Sequence, residues 1–469
     1  MRPAKTTVIH FSTQMGRSLT GFLATLYFAN VLGADILGKY FVAIALVAWL
    51  KIPSDAISTA TNKRVSEGRT GRESLGAGIL LNTIFAFILI IVIIAFQDLI
   101  NSYVGDDVAI VLAGLVFVRI SFQIVLQGLE GQKKVAYSGV IQFLDQLLRA
   151  IFQVVLIYIG FRLLGLIIGH TIALTIAIVI GLMFYQLWPK WPEKQHLTDI
   201  IDFAQYSWLG TIKTRAYSWM DVLVLNIFVA SALVGIYQVA WSLASVLVLV
   251  NVSIQKATFP EISHLSEQSE QSRVHNLLED GLLFTGIFTI PGFFGAAIVG
   301  PELLKLYGDE FIKAHLILLI LIAGRALDVY GSVLINTINA VDRPNRAFRI
   351  NLIFTVSNIG LNILLIYLFG WYGAAFATTI SSTIVLLLSY KSLKSIIGGI
   401  RVPYIEISKQ LIAAMIMSVI LIIFKMTVPW SGTIVTLGLV TIGVITYFLT
   451  LGWISISVRH KVKEISSVK

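Results

Sequence analysis

The sequence contains no cysteine, only 10 prolines in 469 residues, and few charged side chains, which make up 13% of the total. The missing cysteine excludes disulfide bonds, zinc sites with cysteine ligands and cysteine nucleophiles, but says little about the compartment. Soluble domains are usually about a quarter charged and 45–50% apolar, whereas this chain is 57% hydrophobic, with a mean hydropathy of +0.86. These values exclude a soluble enzyme and predict a membrane protein.

Long apolar runs account for this composition. A membrane-spanning helix needs about 20 mostly apolar residues. About fourteen such stretches occur, near 10–32, 36–61, 76–97, 107–128, 136–160, 164–187, 201–228, 231–256, 281–300, 313–338, 348–369, 373–391, 405–427 and 433–456. The first is not a cleavable signal peptide, because it contains Gln14 and Arg17 and continues into a second span. We therefore predict an all-α polytopic membrane protein of about 14 transmembrane helices.

The formal net charge of +10 is explained by membrane topology rather than by nucleic-acid binding. If both termini lie inside, twenty-three basic residues fall in the inner segments and five in the outer segments. Cytoplasmic loops collect Lys and Arg. The asymmetry therefore predicts a multi-pass protein with both termini in the cytoplasm and no nucleic-acid partner.

Two halves of the chain resemble each other. Residues 37–40 align with 234–237 at an offset of 197, and residues 161–165 align with 369–373 at an offset of 208. Each pair is expected in a tight outer turn, where Gly38 and its counterparts would serve the turn. We predict two six-helix lobes and two further spans: an N-lobe over 1–187, a cytoplasmic linker over 188–200, a C-lobe over 201–391, and two spans with a cytoplasmic tail over 392–469.

Charged residues inside the predicted spans are the most informative feature, because charge in a bilayer is costly and marks a functional-site hypothesis. The seven bases are Arg17, Lys51, Arg119, Arg149, Lys213, Arg215 and Arg325. The four acids are Asp55, Asp145, Asp221 and Asp328. Arg119 precedes Arg325 by 206 residues, and Arg17 roughly corresponds to Lys213 and Arg215. Both lobes therefore carry bases near the middle of the membrane.

Helical spacing offers partners for some of these charges. The pairs three or four residues apart are Lys51–Asp55, Asp145–Arg149 and Arg325–Asp328. Such pairs either hold helices together or gate the lobes, and both interpretations remain open. Asp221 is a poorly spaced partner for Lys213 or Arg215. His170, alone in the sixth span, is expected to be a packing residue rather than a proton relay.

The remaining bases predict a hydrated cationic cavity. Arg17 and Arg119 have no acid at helical spacing, Gln14 shares a helix face with Arg17, and arginine is a good bidentate partner for phosphate. The candidate substrate-binding residues are Gln14, Arg17, Arg119, Lys213, Arg215 and Arg325. The candidate gate or coupling residues are Lys51, Asp55, Asp145, Arg149, Asp221 and Asp328. No catalytic, metal, cofactor or ATP-binding motif is found in the sequence.

Four segments, Leu26–Tyr40, Asn62–Gly68, Leu126–Lys134 and Ile335–Pro344, resemble Wzx-type polysaccharide exporters. These form the polysaccharide transport branch of the multidrug/oligosaccharidyl-lipid/polysaccharide (MOP) flippase superfamily. The resemblance covers almost the whole chain. It implies two lobes forming a V-shaped cavity, and a secondary transporter that flips an oligosaccharide on an undecaprenyl or dolichyl carrier to the outer leaflet. It also implies a prokaryotic plasma membrane, with bacterial cell-surface glycan and archaeal N-glycan pathways and H+ or Na+ coupling left open.

Two other functions are weighed against this one. An ion-coupled multidrug antiporter of the MATE type would export cationic drugs with the help of membrane acids, but seven buried bases face only four acids. A membrane glycosyltransferase or polymerase usually needs a large outer loop, whereas the longest outer breaks here have about ten residues, typical of ordinary connections. The charge balance favours a transporter of an anionic substrate.

Overall fold

Helices make up nearly all of the described chain. The computed structural model describes residues 3–68, 70–268, 270–427, 432–456 and 459. Over these residues the helices are α1 (Pro3–Leu50), α2 (Ile52–Glu67), α3 (Gly71–Ala95), α4 (Gln97–Val104), α5 (Ala109–Gly131), α6 (Val135–Tyr158), α7 (Arg162–Met183), α8 (Lys194–Phe228), α9 (Ser231–Val246), α10 (Leu249–Glu267), α11 (Gln271–Lys305), α12 (His315–Ala340), α13 (Pro344–Phe369), α14 (Trp371–Ile397), α15 (Tyr404–Thr427) and α16 (Thr433–Ile454). A 3-10 helix, Asp309–Ala314, precedes α12. No strand occurs in the described ranges, and the predicted all-α class is confirmed.

Among the described residues, 11 helices are long and apolar enough to cross a membrane, which confirms a polytopic membrane protein. Every predicted stretch lies mainly on helix, and the two counts differ for three reasons. Predicted spans one and two share α1, predicted span eight is divided between α9 and α10, and the charged helix α8 is not among the 11. Of the inner basic residues used for topology, those outside the described ranges are Arg2, Arg69, Lys461, Lys463 and Lys469.

Helix α1 changes direction at Gly33, where the backbone leaves the helical region (φ 76°, ψ 174°). Glycine tolerates such a positive φ because it lacks a Cβ atom. The prediction that Gly38 serves the turn is wrong, because Gly38 lies inside the second half of α1. A Cβ atom there would lie 1.8 Å from the Ser231 carbonyl oxygen, and one at Gly235 would lie 2.2 Å from that of Ala34. These two glycines instead allow α1 and the start of α9 to touch.

A second interruption separates α1 from α2 at Lys51. Pro53 stands in the first turn of α2, where its missing N–H removes no helical hydrogen bond and its fixed φ suits the helix. Asp55 also lies in this first turn. The break thus places a basic and an acidic residue one helical turn apart in a buried position.

The helices divide into two compact units, with the boundary between Gly235 and Ile236. In the first unit, α5 packs against α2, α3 and α7, and α6 packs against α1 and α7. Helix α8 packs against α1, α2 and α3, so the seventh predicted span contacts helices of the first lobe. Its N-terminal half forms an apolar cluster with α2 and α3 that contains Ala60, Ala77 and Ile200.

The second unit repeats this packing. Helix α12 packs against α10, α11 and α14, α10 packs against α11, and α13 packs against α14. These five pairs correspond to α2–α5, α3–α5, α5–α7, α2–α3 and α6–α7 of the first unit. The last two helices, α15 and α16, pack against α11 and each other. The shared pattern agrees with an internal repeat, while the lobe limits drawn from the sequence stay a prediction.

The predicted linker 188–200 is helical from Lys194 onward, because α8 begins there. The segment before it is held against the start of α3. The Lys190 N–H donates to the Arg72 carbonyl oxygen at 3.0 Å, and Arg72 Nε donates to the Trp188 carbonyl oxygen at 3.1 Å. These two contacts tie the linker to the first unit.

Candidate anion-binding site

Three charged residues of the first unit meet at the break between α1 and α2. Lys51 Nζ pairs with Asp55 Oδ1, as the spacing predicted, and Arg215 Nη2 of α8 pairs with Asp55 Oδ2 at 2.7 Å. The sequence had offered Asp221 as an acid for Arg215, but the contact is with Asp55. Two bases therefore share one carboxylate. The side chain of Lys51 is 4% exposed, that of Asp55 is 9% exposed and that of Arg215 is 25% exposed.

Helix α6 carries a second charged group. Arg149 Nη2 pairs with Asp145 Oδ2 at 3.3 Å, again as the spacing predicted, and also donates to the Gln146 amide oxygen. Arg17 of α1 donates to the amide oxygen of Gln142, one turn earlier on α6. A neutral amide is thus a partner for Arg17, which had no acid at helical spacing.

Members of both groups line a cavity of about 220 Å³ within the first unit. A cavity needs only about 10–15 Å³ to hold one water molecule, so this cavity has room for a phosphate group. Its basic and other polar or aromatic lining residues include Lys51, Arg119, Arg149, Arg215, Gln146, Gln153, His170, Tyr40 and Trp219. Among the described lining residues there is no Asp or Glu. Four bases without an acid make the cavity wall suitable for an anion.

The other candidate residues lie elsewhere. Gln14, Arg17 and Lys213 are half-buried, Asp221 is buried, and none of the four is among the lining residues that the structure describes for this cavity. The structure therefore gathers Arg119 and Arg215 with two bases, Lys51 and Arg149, that the sequence had assigned to gate or coupling pairs.

Arg325, the counterpart of Arg119 in the second unit, has local partners. Its guanidinium lies 5.0 Å from the ring centroid of Trp241, and its Nη1 is 3.7 Å from Asp328 Oδ2, as the spacing predicted. A cation over an aromatic ring is held by the negative face of the π system. The equivalence of Arg119 and Arg325 is therefore one of sequence position, while their surroundings differ.

Polar bridges between neighbouring helices repeat in both units, from α2 to α5 in the first and from α12 to α10 in the second. The Asn62 amide donates to Gln127 Oε1 at 2.8 Å, and the Asn336 amide donates to Gln255 Oε1. Asn62 and Gln255 are 193 residues apart, and Gln127 and Asn336 are 209 apart. Three of these residues, Asn62, Gln127 and Asn336, belong to the segments that carry the sequence resemblance.

His170 is the site residue that sequence reasoning missed. Its side chain is buried, neither ring nitrogen has a hydrogen-bond partner, and it lines the cavity. A histidine packed only against apolar groups would leave two buried polar atoms unpaired, which is rare in folded proteins. Its position on α7, facing α5 and α6, results from the packing of these helices, which the sequence around His170 does not predict.

No group of three His, Cys, Asp or Glu residues that could hold a metal ion occurs among the residues that the structure describes. What the cavity offers chemically is positive charge, amide and imidazole hydrogen-bonding groups, and aromatic faces. This arrangement can bind and orient an anion.

Comparison with known proteins identifies the family. Residues 74–315, more than half of the chain, match the family described as polysaccharide biosynthesis protein. The chain is 30% identical over 472 residues to the probable flippase AglR of Haloferax volcanii, and the match covers 99% of this chain and 98% of that protein. A relative this similar over its whole length shows shared family membership.

Solved structures show the same fold. The lipid II flippase MurJ in its inward closed conformation has a TM-score of 0.81 at 17% identity, covering 95% of this chain and 98% of MurJ. An inward-facing MATE family transporter of the MOP superfamily has a TM-score of 0.71 at 13% identity, covering 84% and 98%. At such identities these likenesses show the fold alone. As the resemblance of its sequence segments predicted, the chain belongs to the polysaccharide biosynthesis protein family of flippases and has the fold of the MOP superfamily.

Proposed function

We propose that the protein flips a polyprenyl-phosphate- or polyprenyl-diphosphate-linked oligosaccharide from the cytoplasmic to the outer leaflet. The membrane would be the plasma membrane of a prokaryote, with both termini in the cytoplasm. The observation that carries the proposal is the cavity lined by four bases, with no acid among its described lining residues. A relative described as a probable flippase supports the same process.

The phosphate end of the substrate would bind to Lys51, Arg119, Arg149 and Arg215. Arginine forks suit the paired oxygens of a phosphate, and a site of low dielectric strengthens each contact. Aromatic side chains of the cavity, Trp219 among them, would pack on the first sugar. The polyprenyl chain would remain in the lipid, because removing it from an apolar medium brings no gain.

Movement of the substrate requires two states of the protein, and alternating access is the form we propose. The Lys51–Asp55 and Asp145–Arg149 pairs would be its gate or coupling elements, with Asp221 and Asp328 as further coupling carboxylates. The sequence holds no ATP-binding motif, so we propose that an H+ or Na+ gradient supplies the energy. In proteoliposomes, each gradient is collapsed in turn with a selective ionophore. Flipping should stop when the coupling gradient is collapsed and continue when the other one is.

Alanine substitution tests the cavity. Arg119→Ala and Arg215→Ala should each abolish export of the glycan in a deletion strain, because each removes a base whose loss leaves the phosphate without its partner. Arg401→Ala, which truncates an exposed arginine outside the cavity, is the matched control and should export normally. Surface glycan is measured alongside the amount of each variant in the membrane. Full export by both cavity variants would contradict the proposal.

A MATE-type antiporter is the second candidate, since a MATE transporter shares this fold. Such a protein would need acids facing its substrate, whereas the cavity presents bases. Overexpression in a drug-sensitive host and deletion in the native host separate the two functions. Drug resistance without a glycan defect would favour the antiporter, and we expect a glycan defect without drug resistance.

A further inference from the structure

Arg215 uses only half of the hydrogen-bonding edge that its guanidinium presents. Nη2 donates to Asp55 Oδ2 at 2.7 Å, whereas Nε is buried and has no hydrogen-bond partner. These two nitrogens form one edge of the planar guanidinium, which can bind two oxygens of a single carboxylate or phosphate. Asp55 does not fill the edge, since its Oδ1 is paired with Lys51.

The cavity lies next to this arrangement. Arg215 and Lys51 line it, while Asp55 is not among its described lining residues. A ligand in the cavity therefore meets the two bases and not the carboxylate. A phosphate carries enough unshared oxygens to accept from Nε and Nη2 together, which the carboxylate of Asp55 does not do.

We propose that a phosphate entering the cavity takes the whole Nε–Nη2 edge of Arg215 and displaces Asp55 from it. The inference rests on the function proposed above and adds a consequence of binding. Asp55 keeps Lys51 as its counter-ion, so no buried carboxylate is left without a positive neighbour. Asp55 is then a positioning residue, which holds Arg215 beside the cavity until the substrate replaces it.

The exchange changes the contact between two helices. Asp55–Arg215 is the ion pair that joins α2 to α8 among the described residues, whereas Arg149–Asp145 lies within α6. Displacement of Asp55 therefore removes a contact between α2 and α8. Displacement of Asp145 would remove no contact between helices. Helix α8 leads into α9, in which the boundary between the two units falls.

Spin labels test the exchange, because a chain without cysteine accepts a single pair of new cysteines without background labelling. Thr59→Cys on α2 and Thr214→Cys on α8 replace exposed residues near the ion pair. The labelled protein in phosphatidylcholine nanodiscs is titrated with geranylgeranyl diphosphate, and geranylgeraniol serves as the uncharged control. We expect the distance between the labels to lengthen with the diphosphate only.

Two variants separate the helix link from simple charge. Asp55→Asn should show the longer distance before ligand is added and no further change afterwards. Asp35→Asn removes a carboxylate that pairs within its own helix, with Lys39 of α1, and so removes charge but no link between helices; its distance should respond as in the unchanged protein. If the distance between the labels responded to the diphosphate in the same way in both variants, the proposal would be overturned.

Arg215→Lys keeps a cation beside Asp55 but offers no two-pronged edge, so it tests the proposal even if Asp55→Asn does not fold. It should need about tenfold more geranylgeranyl diphosphate to lengthen the distance, as loss of a charge-assisted hydrogen bond implies. An unchanged requirement would contradict the use of the Nε–Nη2 edge.

Three further outcomes are decisive. Binding of the diphosphate to the unchanged protein at a constant label distance would overturn the exchange and leave the proposed function standing. Absence of binding would overturn both. Nanodiscs containing phosphatidylglycerol test an ordinary lipid headgroup as the phosphate source; we expect the short distance there, and lengthening without the prenyl diphosphate would contradict the proposal.

Discussion

His170 shows how one unpaired side chain can report on a ligand. Its imidazole is 3% exposed and shares the cavity with Arg119 and Arg149, and neither ring nitrogen has a hydrogen-bond partner. Leaving a buried polar group unpaired costs about 1–3 kcal/mol. An oxygen of the substrate or an ordered water in the cavity would recover this free energy, and the neighbouring arginines would bring the phosphate within reach.

Replacement of His170 separates these two occupants. His170→Leu should weaken binding of a polyprenyl diphosphate about tenfold, because a charge-assisted hydrogen bond is lost, without lowering the unfolding temperature. His170→Gln keeps a donor and an acceptor and should retain most of the affinity. Titration calorimetry gives the affinities and thermal unfolding the stabilities. Equal affinity of all three proteins would mean that only water contacts this histidine.

The close contact between α1 and α9 depends on the absence of side chains at two glycines. Gly38 and Gly235 bring α1 and α9 so close that an added Cβ atom would lie about 2 Å from a carbonyl oxygen of the other helix. Gly38→Ala should lower the free energy of unfolding by several kcal/mol or stop expression, since backbone atoms cannot yield as a flexible side chain can. The unfolding temperature in detergent measures the effect.

Gly114→Ala is the control for this change, since a Cβ atom at Gly114 on α5 would meet nothing within 4 Å. It should be neutral or stabilise the helix by up to about 1 kcal/mol, the usual difference between glycine and alanine. Equal unfolding temperatures for the two variants would contradict the close contact between α1 and α9.

The short helix α4 contacts α8 near the C-terminal end of that helix. The Tyr103 hydroxyl donates to the Leu223 carbonyl oxygen at 2.6 Å, and the Asn226 amide donates to the Tyr103 carbonyl oxygen. Burial raises the pKa of Tyr103 to about 12, above its usual value near 10. Protonated Tyr103 is therefore favoured in the folded state, and its contribution to stability is complete below pH 10 and is lost as the pH rises to about 12.

Tyr103→Phe removes both the hydrogen bond and this pH dependence. It should lower the free energy of unfolding by about 1 kcal/mol at pH 8, the typical net value of one hydrogen bond. Between pH 10 and 12 the unchanged protein should lose stability relative to the variant. Denaturant unfolding at pH 8, 10 and 12 measures both effects, and a constant difference across this range would contradict a raised pKa.

At the scale of the whole molecule, the charge distribution predicts one orientation in the membrane. Cysteines placed at exposed Glu67 and Lys391 should be protected from a membrane-impermeant thiol reagent added to intact cells, because basic loops remain in the cytoplasm. Cysteines at exposed Asp106 and Asp309 should react. The chain has no cysteine of its own, so labelling reports only the new positions. The reverse pattern would contradict cytoplasmic termini.

Properties that repeat along one helix were predictable from the sequence. The apolar runs are long, so hydropathy predicts the spans. The residues of the Lys51–Asp55 and Asp145–Arg149 pairs lie one helical turn apart, so their spacing predicts the pairs. The contact between Asp55 and Arg215 joins residues 160 positions apart, and no spacing rule contains it. The same holds for Gly38, whose neighbour Ser231 is distant in sequence.

The cavity shows the same limit. The number of charges predicted a cationic site. Which of the bases line it depends on which helix faces point toward the cavity. Arg17 was assigned to the cavity because it lacks a nearby acid, yet a neutral amide, Gln142, accepts from it across two helices. His170 was assigned to packing because a single histidine carries no pattern, although it lines the site.

The helix break at Lys51 gives Asp55 a second source of positive potential. Unpaired N–H groups and aligned peptide dipoles make the first turn of a helix electropositive, and the end of a helix attracts cations. Asp55 lies in the first turn of α2, and Lys51 follows the last residue of α1. Both charges are therefore stabilised by backbone that stays in place, whereas Arg215 comes from the interior of a separate helix. Of the three, Arg215 is the partner that can leave at the smallest electrostatic cost.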